Sequence, residues 1–105
     1  MIRREVIDVY FPDAVCDKIR GRGIDEDMVL RALVAGHQDW ELPPLVTGEW
    51  ATGEGAPDIW ALAQDPISGT YLEIGFVVEP DGVARCYHAM RMDEVDRRRY
   101  RRARG

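Results

Sequence analysis

The sequence predicts one small α+β domain: two N-terminal helices, a short antiparallel sheet of three to four strands, and a basic C-terminal helix. Three observations carry that expectation. Apolar residues are spaced for helices early in the chain, as Val15 and Ile19 and then Met28, Ala32 and Leu33, but alternate later as Leu72, Ile74, Phe76 and Val78. Pro80-Asp81-Gly82 between two such segments is a hairpin signal, because Asp-Gly accepts the positive backbone angles of a tight turn. An arginine-rich run, residues 97–102, follows a good capping residue, Asp93. Helix, helix, strands, helix is the order of an α+β layer rather than of a parallel βαβ fold.

Each element can be justified in turn. Residues 6–11 are β-branched and aromatic and read as a short strand. Pro12-Asp13 opens a first helix with Asp13 as N-cap, and Gly21 or Gly23 ends it. Asp25 caps the second helix, Glu26 and Asp27 suit its positive end, Ile24 can staple onto Val29, and Gly36 stops it. Residues 37–57 are irregular, with a short strand expected near 45–50 and a mobile tip at 52–55; a bare loop of that length is improbable in so small a domain. Strands follow at 58–64, 71–78 and 83–90. In the last helix Met92, Val95, Tyr100 and Ala103 should face the sheet, while Arg97, Arg98, Arg101, Arg102 and Arg104 project outward. Residues 103–105 should fray.

With 105 residues, the chain fits a single domain, residues 1–105, whose small core would benefit from a partner or from forming a homodimer. Nothing approaches the roughly 20 apolar residues of a membrane span, and no apolar run of signal-peptide length follows the start, so no membrane is expected. Cys16 and Cys86 have apolar neighbours and read as two buried thiols in a reducing compartment, with the cytoplasm as the default location. The net charge of −5 is uneven: residues 1–80 carry 6 Lys and Arg against 15 Asp and Glu, and residues 81–105 carry 8 Arg against 4 acids. A basic end can hold a polyanion locally while the acidic body repels one at a distance, which argues against an avid general nucleic-acid binder.

Catalytic signatures are sparse. There is no phosphate-cradling glycine loop, no zinc spacing, and only His37 and His88 as imidazoles, so neither metal nor cofactor is expected. His88 lies in a strand between Arg85 and Arg91. Facing out of the sheet, it sits beside cations that favour the neutral form a general base needs. Facing in, it is a core histidine, and its apparent shared face with Cys86 and Met90 favours that reading. The run Arg97-Arg98-Arg99-Tyr100-Arg101-Arg102 has three uses: a solvated helix end, a polyanion contact with Tyr100 as a stacking surface, or a dock for an acidic partner segment.

Three blocks together resemble a known family. Residues 17–33, with Asp17-Lys18-Ile19 and Asp27-Met28-Val29-Leu30-Arg31-Ala32-Leu33, are similar to the N-terminal helices of BrnT-type toxins. Residues 60–78 look like that family's strand, turn and following strand, and residues 87–102 look like its final strand end and helix. The resemblance covers about three quarters of the chain and omits residues 37–56. It implies a RelE-like, metal-independent ribonuclease that cleaves mRNA and is neutralised by an antitoxin protein. Transferred residue by residue, Arg91 becomes the clamp on the scissile phosphate and His88 the acid or base, these two being the catalytic pair. Arg85, Arg97, Arg98, Tyr100 and Arg101 become RNA-binding residues. Two departures stand out: Thr70 where the family's turn is followed by arginine, and Met90 where the family carries the arginine that here stands one place later, at Arg91. The competing reading is a catalytically inactive protein-interaction domain on the same fold, with Trp40, Trp50 and Trp60 as contact residues.

Overall fold

Pro12 and Asp25 decide where the first two helices begin. In the computed structural model, which describes residues 6–34, 45–50 and 58–103 (Trp50 by its backbone alone), Pro12 occupies the N-cap position of helix α1, Asp13–Arg20. Asp13, expected as the cap, is instead the first helical residue, because proline's fixed φ suits the entry and no side-chain cap bond is made. Asp25 does cap α2, Glu26–Val34: its Oδ1 accepts from the Met28 amide at 2.9 Å. Asp93 does the same for α3, Glu94–Ala103, accepting from the Asp96 amide at 2.8 Å.

The strands are β1 (Asp8–Tyr10), β2 (Leu45–Trp50), β3 (Asp58–Gln64), β4 (Tyr71–Val78) and β5 (Val83–Arg91). They form one five-stranded sheet in the order β1-β5-β4-β3-β2. This corrects the expectation of three to four antiparallel strands. β1 pairs parallel to β5, with Val9 opposite Ala84, and only the remaining pairings are antiparallel. The parallel pair joins residues more than seventy positions apart in sequence, a long-range contact that no local signal announces.

Helix placement also differs from a simple layer. Alternation sends Leu72, Ile74, Phe76 and Val78 of β4 to one face, where they join Ile19, Val29 and Leu33 of α1 and α2 in the main core. The opposite face carries a second, smaller cluster, in which Met92 and Tyr100 pack with Leu62, Leu45 and Tyr71. Helices therefore cover the sheet on both sides. Val95, expected to face the sheet, is 69% exposed, and Ala103 is exposed as well; the helix is anchored instead through Met92 and Tyr100. Arg97, expected to project outward, is half-buried over Tyr71. The expected tip at 52–55, Trp40, the side chain of Trp50, Gly36, Arg104 and the end of the tail lie outside the described residues.

A bulge in β5 sets the faces of the residues that matter most. Phe76 pairs with Cys86 but Gly75 pairs with His88, leaving Tyr87 as the extra residue. Cys86 thus points into the main core while Tyr87 and His88 both point to the α3 side. The shared face of Cys86 and His88 assumed from strict alternation does not exist. Gly75 permits the arrangement, since a Cβ there would stand 3.0 Å from Tyr87 Cε2 and 3.3 Å from His88 Cβ.

Candidate anion-binding groove

An open groove of about 340 Å³ lies where the β3–β4 turn meets the end of β5 and the start of α3. Its walls are Ser68, Gly69, Thr70 and Tyr71 on one side and Arg91, Met92 and Arg97 on the other. The turn is built on Asp65, which is fully buried. Arg31 of α2 grips its carboxylate with two bonds of 2.8 Å, from Nε and Nη2, a planar fork matched to a carboxylate. The carboxylate also accepts from the Ile67 amide at 3.1 Å, the Ser68 amide at 3.3 Å and the Ser68 hydroxyl at 2.5 Å. Burial alone would push this carboxyl's pKa up, but Arg31, Ser68 and the two amides outweigh it and hold the group well below the usual carboxylate range. Gly69 completes the turn at φ 77°, a left-handed conformation that glycine adopts without a Cβ clash.

Two cations reach the groove by different routes. Arg91 is the last residue of β5 and pairs with Leu72, on the α1–α2 side of the sheet. Standing at the strand end, it nevertheless lines the groove, and its Nη2 approaches Gly23 in the α1–α2 turn. Among the described residues it makes no ion pair. Arg97 lies over the ring of Tyr71, its guanidinium carbon 5.2 Å from the centroid, and its Nε is buried with no hydrogen-bond partner among the described residues. An aromatic face rather than a carboxylate holds it, so its charge is not neutralised by the contact that positions it.

The other expected site residues are dispersed. Arg101 also approaches Tyr71, at 5.9 Å. Arg98 pairs with Glu94 one turn earlier, at 3.5 Å on the exposed side of α3. Arg85 sits near the β4–β5 hairpin, tied to Glu79 at 3.0 Å, and does not line the groove. Tyr100 is 2% exposed and meets Tyr71 edge to face at 5.8 Å, so its ring is a packing element rather than a stacking platform.

His88 belongs to a neighbouring cluster on the α3 side of the sheet. Its Nε2 is 3.1 Å from Glu73 Oε1, and its ring is 4.7 Å from that of Trp60, which Tyr87 meets edge-on at 5.9 Å. A neutral ring protonated at Nε2 donates to this carboxylate. Burial, followed by the charges of Arg22 and Lys18, lowers the His88 pKa from its ordinary value. Nearby Asp96 is raised, first by burial and then by its hydrogen bond with Glu73. His88 is thus half-buried and held by Glu73, and it is not a wall of the groove that takes Arg91 and Arg97. No group of three or more His, Cys, Asp or Glu side chains among the described residues is arranged to hold a metal ion.

Several of these participants escape a reading by composition. Tyr71, Ser68 and the Arg31–Asp65 pair carry no motif. The one available signal was alternation in β4, which places Tyr71 and Glu73 opposite Leu72 and Ile74. No family model matches the chain, and no curated protein or solved structure was found to be similar to it.

Proposed function

We propose that this protein binds the phosphodiester backbone of single-stranded RNA in the groove between the β3–β4 turn and α3. The observation that carries the reading is the convergence of Arg91 and Arg97, neither neutralised by an ion pair among the described residues, on one open groove. Guanidinium groups match phosphate oxygens in charge and geometry. The exposed Arg99, Arg101 and Arg102 of α3 extend the positive surface beyond it. Cleavage of mRNA as a metal-independent ribonuclease in the cytoplasm, with an antitoxin as the neutralising partner, is the activity the resemblance to BrnT-type toxins implies. In that reading Arg91 stabilises charge on the scissile phosphate.

One placement favours a second reading, binding without cleavage. A general base must reach the proton it removes, at about 3 Å or through one water, and His88 is held by Glu73 outside the groove walls. Expression in a bacterial host separates the two. Growth arrest with RNA fragmentation, abolished by Arg91→Ala with His88→Ala, supports cleavage, whereas intact RNA at confirmed soluble expression supports binding alone.

Binding itself is tested by anisotropy of a labelled single-stranded RNA across a salt series. The affinity should fall linearly on a log–log plot, by about 0.7 in slope per neutralised phosphate. Removing Arg91 and Arg97 together should flatten that slope by about 1.4. A slope unchanged in the double variant rules the groove out as the phosphate site.

A further inference from the structure

The hydroxyl of Thr70 ends a chain of hydrogen bonds at the groove wall, and the inference rests on the groove being the phosphate site proposed above. Three oxygens form a chain: Ser68 Oγ is 2.5 Å from Asp65 Oδ2, and Thr70 Oγ1 is 2.9 Å from Ser68 Oγ. The proton positions follow from counting. Asp65, doubly bonded to Arg31, is an acceptor only, so the single Ser68 hydroxyl proton must go to it. Ser68 Oγ then has only lone pairs to offer. It accepts from the Thr70 amide at 3.3 Å and from the Thr70 hydroxyl at 2.9 Å. The one proton of Thr70 Oγ1 is therefore turned toward Ser68, and what remains of that oxygen is two lone pairs.

Thr70 lines the groove together with Arg91 and Arg97. Two donors for phosphate oxygens thus stand beside an oxygen whose lone pairs face the groove while its proton is turned toward Ser68. A phosphate oxygen would be repelled by it, whereas a hydroxyl next to a phosphate would be a partner. In a nucleic acid the hydroxyl adjacent to the backbone phosphate is the ribose 2′-OH, a donor that DNA lacks.

We propose that Thr70 is the residue that distinguishes RNA from DNA in this groove, by accepting a hydrogen bond from a 2′-hydroxyl. Ser68 and Asp65 act through it as positioning residues, by fixing where its proton points.

The test uses the full chain and two labelled twelve-residue probes, oligouridine and oligodeoxyuridine, which differ only in the 2′ position. One neutral hydrogen bond predicts a preference for the ribose probe of about three- to tenfold. Thr70→Val should remove the preference, so that the two probes bind alike, while Thr70→Ser should keep it. Ser68→Ala removes the acceptor that commits the Thr70 proton. The hydroxyl can then donate to a phosphate, so the deoxy probe should bind more tightly and the ratio should fall from the other side. A Thr70→Val protein that keeps the wild-type ratio, or a wild type that binds both probes equally, overturns the Thr70 inference and leaves the phosphate groove standing. A wild type that binds neither probe overturns both.

Discussion

Gly75 and His88 show how a single residue in the sheet decides the surroundings of others. Gly75 lies opposite Trp60 on one side and His88 on the other, and the bulge lays Tyr87 against its bare Cα. Gly75→Ala should cost about 1–3 kcal/mol, the usual penalty for overpacking a filled site. Denaturant midpoints would show it, and an unaltered midpoint would mean that Tyr87 can move aside. His88 supplies a pH prediction. Its pKa in the folded protein lies below the ordinary 6.5, so the unfolded chain takes up the proton first. The stability this gives is complete above about pH 6.5 and is lost as pH falls through the native value. Unfolding midpoints at pH 7.5 and 5.5 should therefore fall further in the wild type than in His88→Gln; equal losses would contradict it. Of these residues only His88 stood out in the sequence, and the bulge that turns it away from Cys86 did not. A bulge depends on which residues face each other across two strands, and alternation within one strand cannot reveal it.

At the scale of elements, the β3–β4 turn is the part whose integrity the groove needs. It is not held by its own residues alone, because the Asp65 carboxylate is shared with Arg31 on α2. Asp65→Asn keeps the shape but removes the charge that holds the fork. It should lower stability by roughly 2–3 kcal/mol, below the usual cost of breaking a buried pair, because Arg31 is 34% exposed and can be rehydrated. Thermal or urea unfolding measures this, and a loss under about 0.5 kcal/mol, typical of an exposed pair, would show that the turn stands without α2. Asp65-Pro66 and Ser68-Gly69 were readable as a turn. Arg31 was readable only as one residue of α2, since it meets Asp65 across 34 positions of sequence. Helix caps, by contrast, are local: Asp25 and Asp93 act within three residues, and both were legible.

For the molecule as a whole, charge and layering work together. The acidic first part of the chain supplies α1 and α2 on one side of the sheet, and the basic last part supplies α3 on the other. Arginines that look like a uniform run in sequence are divided by the fold. Arg97 and Arg101 gather on Tyr71, Arg98 is paired with Glu94, and Arg85 is tied to Glu79. On the proposed reading, the salt dependence of RNA binding belongs to a few groove cations rather than to the net charge, which is negative. No helix among the described residues is long and apolar enough to cross a membrane.

What the amino-acid sequence determined by itself is the α+β character, two of the three helix caps, the main turns, the spans of β2, β3 and β4, and all but the last residue of β5. Each rests on interactions within a few residues, whether periodicity, a capping carboxylate or a glycine in a turn. The tertiary structure alone decided the parallel pairing of β1 with β5, the division of helices between two faces, and the bulge that sends His88 away from the core. It alone brought Thr70, Arg91 and Arg97 to one groove. These depend on pairings between distant segments, where the energy of a contact is set by the partner's position rather than by the residue's neighbours in the chain.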